Sequence, residues 1–216
     1  MIKYTKIQTL FFRDPKNNNK TLMEGVFTLP EFEYLQNNEW IFTEKVDGTN
    51  IRILWEGDGI QFGGKSDNAQ IHAKLVDALR AQFDGKEDEF FEAFKQGLEE
   101  GETPQVCLYG EGYGAGVQKC GGNYRQDQGF VLFDVKVGPW WLQRTDVEDI
   151  ASKLGLDIVP IIGSGTLWDM VGRCKDGITS LWGNFPAEGI VARPATELCQ
   201  RNGKRIITKL KSKDYK

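Results

Sequence analysis

The sequence predicts an α+β fold built mainly from antiparallel sheets flanked by helices. Three observations carry this. Apolar runs bounded by turn residues occur near both ends of the chain, segments of helical period lie between them, and the two kinds do not alternate strictly. With 216 residues the chain can bury one sizeable core and a small appendage, so a single domain over residues 1–216 is expected.

Taken in order, Asn17 to Asn19 after Asp14-Pro15 read as a turn or mobile loop. Trp40 to Val46 and Ile51 to Trp55 read as strands joined by the tight connection Asp47-Gly48-Thr49-Asn50, and Gly57-Asp58-Gly59 turns the chain into Ile60 to Phe62. Ile71, Leu75, Val76, Leu79 and Phe83 then recur at helical spacing, with Asp67 or Asn68 as the cap. A second helix carries Phe90, Phe91, Phe94 and Leu98 and stops at Gly101. Strands resume at Gln105 to Glu111 and Gly129 to Val137. A helix from a Thr145 cap to Leu154 follows, then a short β-like Ile158 to Ile162 and a short helix over Thr166 to Arg173. Gly189 to Arg193 and Arg205 to Leu210 are the last strands.

Composition excludes several classes. No apolar run approaches the roughly 20 residues that span a bilayer, and Met1 to Lys6 lacks the apolar stretch of a secretion signal. A cytoplasmic protein that engages no membrane is expected, acting in a host's cytoplasm if phage-encoded. The four cysteines lack close paired spacing and there is one histidine, so a zinc site is not expected. A net charge of -4 argues against coating nucleic acid by bulk attraction, yet Arg201 to Lys216 is basic with only Asp214 opposing.

Four polar clusters sit at strand ends. In Glu44-Lys45-Val46-Asp47-Gly48-Thr49-Asn50, a lysine stands between apolar strand residues and a glycine turn, and its amine can attack a nucleotide α-phosphate once deprotonated. Gly110-Glu111-Gly112 offers an acid between glycines, which let a ligand approach the backbone. Glu188 opens the apolar strand Gly189 to Arg193, and with Glu111 it can serve a ribose hydroxyl and a divalent metal. Lys209-Leu210-Lys211 sets two cations on one strand face, suited to phosphate oxygens. Singly, each has a plainer reading: a solvated strand lysine, ordinary ion pairs for Glu111 and Glu188, a solvated face for Lys209 and Lys211. The lone His72 reads as structural, and the glycines from Gly110 to Gly122 lack the Gly-Lys-Ser/Thr ending of a P-loop.

Their order separates these readings. Lys45-Val46-Asp47-Gly48, Gly110-Glu111-Gly112, Phe130 to Val135, Glu188-Gly189-Ile190-Val191 and Lys209-Leu210-Lys211 resemble, in that order, the motifs of the covalent nucleotidyltransferase superfamily of DNA ligases, RNA ligases and capping enzymes. The resemblance runs from Phe42 to Tyr215. It implies the ligase adenylation-domain fold and ATP with Mg²⁺ as cofactors. Lys45 is implied as the nucleophile that forms lysyl-AMP, and Lys209 and Lys211 as catalytic contacts to the α-phosphate. It further implies Glu44 at the adenine edge, Asn50 at the ribose or its phosphate, Glu111 at the ribose, Phe133 stacked on the base and Glu188 at the metal. Lys65, in Gly63-Gly64-Lys65-Ser66, stands where the family often has arginine; it keeps the charge and loses the bidentate fork.

Within the superfamily the motifs resemble phage-type RNA ligases that seal nicks in duplexes. That implies an RNA-repair ligase acting as a monomer on RNA with 5′-phosphate and 3′-hydroxyl ends, presented in a nicked duplex. Only Ser212 to Lys216 follow the lysine motif, where DNA ligases and capping enzymes carry an oligonucleotide-binding barrel. No such appended domain is expected, self-adenylation is expected to survive without it, and sealing of separate strands is expected to be weak. A minimal DNA ligase, a capping enzyme that forms lysyl-GMP and a non-catalytic nucleotide-binding module are the alternatives.

Overall fold

The computed structural model describes residues 3–57, 59–96 and 102–215. In chain order the strands are β1 (Gln8–Thr9), β2 (Phe11–Arg13), β3 (Leu22–Phe27), β4 (Trp40–Lys45), β5 (Thr49–Trp55), β6 (Ile60–Gly63), β7 (Val106–Gly114), β8 (Gln128–Val137), β9 (Trp140–Trp141), β10 (Asp157–Ile158), β11 (Ile161–Gly165), β12 (Gly189–Pro194) and β13 (Thr208–Lys211). The helices are α1 (Pro30–Tyr34), α2 (Ala73–Phe83), α3 (Glu87–Phe94), α4 (Gly121–Tyr124), α5 (Arg144–Lys153) and α6 (Leu167–Asp176). They form two compact units, one of residues up to Tyr4 with Asp47–Val159, the other of Thr5–Val46 with the chain from Pro160 onward.

The first unit is a sheet in the order β10-β8-β7-β5-β6, with β9 added to β8. Its pairings are antiparallel except β10 with β8. Alternation along β5 sends Ile51, Ile53 and Trp55 to one face, where they pack with Leu75 and Leu79 of α2, Phe90 of α3 and Ile150 of α5. That face is sealed by helices. The other carries Leu54, Cys107 and Tyr109, covered by Tyr4, Phe133 and Trp141.

The second unit is a sheet in the order β1-β13-β12-β4-β11, antiparallel except β1 with β13, beside the β2-β3 pair. Trp40, Phe42, Ile190, Ala192 and Leu210 pack inward with Leu167, Met170 and Val171 of α6 and Phe32 of α1. The intervening Thr43, Lys45, Val191, Lys209 and Lys211 stay partly exposed.

The expected α+β architecture of mainly antiparallel sheets is the one found. Several details differ. Gln143, not Thr145, caps α5, and His72, not Asp67 or Asn68, precedes α2. The predicted strand Ile158 to Ile162 is two strands in two different sheets, because Pro160 between them has no N–H to continue a ladder. Leu98 and Gly101, read as the end of the second helix, lie outside the described residues. Among those residues no helix is long and apolar enough to cross a membrane.

Candidate active site

In the second unit, register decides the geometry. Lys45 on β4 and Lys211 on β13 are both paired with Gly189 of β12, so the three residues form one row across three strands. A Cβ on Gly189 would lie 2.0 Å from the Leu210 carbonyl oxygen, so the row closes only with glycine at its centre. Glu188, one residue earlier, reaches both cations. Its Oε2 accepts from the Lys45 ammonium and its Oε1 lies 2.6 Å from Lys211 Nζ. Burial alone would raise the Glu188 pKa, but the Lys45 and Lys211 ammonium groups outweigh it and hold the carboxyl below its ordinary value. Lys209 shares the outward face, one side-chain repeat along β13.

Alternation turns Glu44 the other way. It is 1% exposed, and its two oxygens accept from Ser180 Oγ at 2.6 Å and from the Leu181 N–H at 2.9 Å. Glu44 therefore anchors the loop leading to Glu188. The structure gathers Lys45, Glu188, Lys209 and Lys211 on one face and does not bring the Glu44 carboxylate among them.

In the first unit Asn50 of β5 is paired with Glu111 of β7. The Asn50 Oδ1 is buried and takes no hydrogen bond among the described residues, so its acceptor capacity is unused there. The glycines flanking Glu111 have a different purpose from the one their sequence predicts. A Cβ on Gly110 would meet the Phe130 ring at 2.3 Å, and one on Gly112 would meet Leu75 at 2.5 Å. They are small because the helix-covered core fills their side of the sheet, not because a ligand approaches there.

Phe133 is the extra residue of a bulge. Asp134 pairs with Tyr109 and Leu132 with Gly110, which leaves Phe133 without a partner and turns it onto the face of Tyr109. Its ring meets Tyr4 edge-on at 5.1 Å, and the Tyr4 hydroxyl donates to Asp134. Lys65 is exposed on the turn after β6. Arg52, fully buried, holds that turn by donating to the Gly64 carbonyl at 2.7 Å and to Asp67 at 3.0 Å. Sequence reasoning passed over Arg52, although an arginine inside the apolar run Ile51 to Trp55 was a signal. It also missed Ser180, for which no local pattern existed.

The sequence pattern that defines the RNA ligase family matches residues 38–211. The chain belongs to the RNA ligase family. Solved structures of Naegleria gruberi RNA ligase share the fold of this family member. The form with pyrophosphate matches at TM-score 0.67 and 20% identity, over 99% of this chain and 57% of that one. A glutamate-to-alanine variant with AMP and manganese matches at TM-score 0.67 and 18% identity, with the same coverage. Another such variant, with ATP and manganese, matches at TM-score 0.65 and 19% identity, again over 99% and 57%. This RNA ligase family chain thus spans 57% of the length of those structures. No curated protein sequence matches it.

Proposed function

We propose that the chain is the adenylation domain of an ATP-dependent RNA ligase and that Lys45 is its nucleophile. The observation that carries this reading is the row Lys45–Gly189–Lys211 with Glu188 bound to both lysines. The nucleotide and metal found with the Naegleria ligase support it.

In the first step the Lys45 Nζ, having lost a proton, attacks the α-phosphorus of ATP. The bond from that phosphorus to the bridging oxygen breaks and pyrophosphate leaves, so lysyl-AMP remains. Lys211 and Lys209 stand on the same face to neutralise the phosphate oxygens as charge shifts to the leaving group. Asn50 and Glu111 are the contacts for the ribose, with the buried Asn50 Oδ1 as an acceptor for a hydroxyl. Phe133 meets the base and Lys65 a phosphate. AMP then passes to an RNA 5′-phosphate, and a 3′-hydroxyl displaces it to form the new phosphodiester.

Among the described residues no three potential metal ligands cluster. A single carboxylate, Glu188, suits Mg²⁺, which is commonly held by one or two carboxylates together with substrate phosphates. When bound, the metal would screen the phosphate oxygens and orient the leaving group. Glu188 would have to yield part of its contact with the two lysines to hold it. We further propose a monomer that works in a cytoplasm on nicked RNA duplexes.

The test is incubation of the protein and its Lys45→Ala variant with α-labelled ATP or GTP and Mg²⁺, followed by denaturation. Retained AMP label, absent from the variant, is expected. GMP label would mean a capping enzyme, and tight ATP binding with no covalent label would leave only a nucleotide-binding module. Sealing of nicks with a ribose or a deoxyribose at the 3′-hydroxyl separates RNA from DNA ligation.

A further inference from the structure

Lys211 stands at the end of a strand whose outer neighbour stops short. The pairing of β1 with β13 ends at Thr9 with Lys209, and the last bond runs from the Leu10 N–H to the Lys209 carbonyl at 3.2 Å. Two residues on, the ladder offers the Lys211 N–H nothing, and an orphaned backbone donor is costly to bury. Asp214 takes it. Its Oδ2 lies 3.4 Å from the Lys211 nitrogen, across the single turn Ser212–Tyr215.

The Asp214 side chain is only 2% exposed, and a buried carboxylate needs a charged partner. Arg13 of β2, 201 residues away, supplies it: one guanidinium nitrogen lies 2.8 Å from Oδ1 and 3.0 Å from Oδ2. On the other side of the turn, the Ser212 N–H donates to the Glu188 carbonyl at 2.9 Å and its hydroxyl to the Ala187 carbonyl at 3.0 Å. The backbone of Lys211 is thus tied on one flank to Arg13 through Asp214 and on the other to the residue its ammonium meets.

We propose that Arg13 and Asp214 are positioning residues for Lys211, holding the end of β13 so that its ammonium faces Glu188 and the reacting phosphate. Neither residue touches the nucleotide. The inference rests on the reading of Lys45 as the adenylated nucleophile.

The test is the single-turnover rate of covalent AMP transfer to the protein at saturating ATP, for Asp214→Ala, Asp214→Asn, Arg13→Ala and Arg13→Lys. Each is normalised to the folded fraction seen by circular dichroism. Misplacement of the Lys211 ammonium by about 1 Å is expected to slow Asp214→Ala by about 10²-fold. Half-saturating ATP is expected to stay nearly constant, because ground-state contacts are untouched. Arg13→Lys is expected to recover most of the rate lost in Arg13→Ala. Should Asp214→Ala not fold, Asp214→Asn keeps an acceptor for the Lys211 N–H but loses the charge that holds Arg13, and a rate as low as that of Arg13→Ala is expected. Variants that react at the parent rate per folded molecule would overturn the positioning role. A parent chain that takes no label at all overturns the reading of Lys45 itself.

Discussion

Lys45 and Lys211 flank Gly189 in one row across three strands, and a single carboxylate, Glu188, is bound to both. Two ammonium groups on the strands either side of β12 repel each other, so the carboxylate between them stabilises the row without substrate. A nucleotide α-phosphate carries the same sign of charge as that carboxylate. The row is held together by an anion, and removing one of its members has different consequences for chemistry and for folding.

Lys211→Ala should slow covalent AMP transfer by about 10²–10³-fold, as loss of one charge-stabilising donor commonly does. Its melting temperature should change little, because the Glu188 carboxylate keeps Lys45 as its charged partner. Single-turnover labelling together with thermal melts separates the two effects.

The lowered pKa of Glu188 fixes the sign of a pH effect. Its carboxyl in the folded chain titrates below the ordinary value of 4.5, so the folded state binds fewer protons there than the unfolded one. The stabilisation is fully present above that value and is lost as the pH falls through the lowered pKa. The stability gap between the parent and Glu188→Gln should therefore shrink as the pH is taken from about 6 to about 3. Denaturant melts across that range would contradict this if the gap stayed constant.

Gly189→Ala should destabilise the second unit by about 1–3 kcal/mol, the range for forcing extra volume into a well-packed region. The new methyl would meet backbone, the Leu210 carbonyl, which cannot rotate away. It should also abolish AMP transfer by spreading the strands that carry Lys45 and Lys211. Urea unfolding and the labelling assay are the measurements.

Ser180→Ala should cost about 1–3 kcal/mol, because it strips a hydrogen bond from a buried carboxylate, that of Glu44. Hydrogen exchange at the Leu181 amide should rise in the same variant, as the loop loses one of its two ties to Glu44. An unchanged exchange rate would show that the Leu181 contact holds the loop alone.

Arg52→Met should release the turn of Gly64 to Asp67, since the guanidinium is what binds the Gly64 carbonyl and the Asp67 carboxylate. Faster amide exchange confined to residues 64–69 is expected, with the rest of the sheet retained.

Much of this was legible in the chain. The period-2 runs of β4, β5, β7 and β8 and the helical spacing of α2 are local properties, and each appears within a few residues of its expected bounds. The small elements before Trp40 were not legible. Strands of two and three residues such as β1 and β2 have too little periodicity to register and exist because other segments pair with them.

The sequence by itself determined the fold class, the family and the inventory of reactive groups, because motif order and alternation are written along the chain. Only the tertiary structure decided how those groups are used. It set Lys45 and Lys211 on either side of Gly189, tied Glu44 to Ser180 and the Leu181 amide and gave the glycines beside Glu111 to the core. It also joined Arg13 to Asp214 over 201 residues. Each of these depends on register between strands and on what packs beneath them, and neither is encoded in the spacing of neighbouring residues.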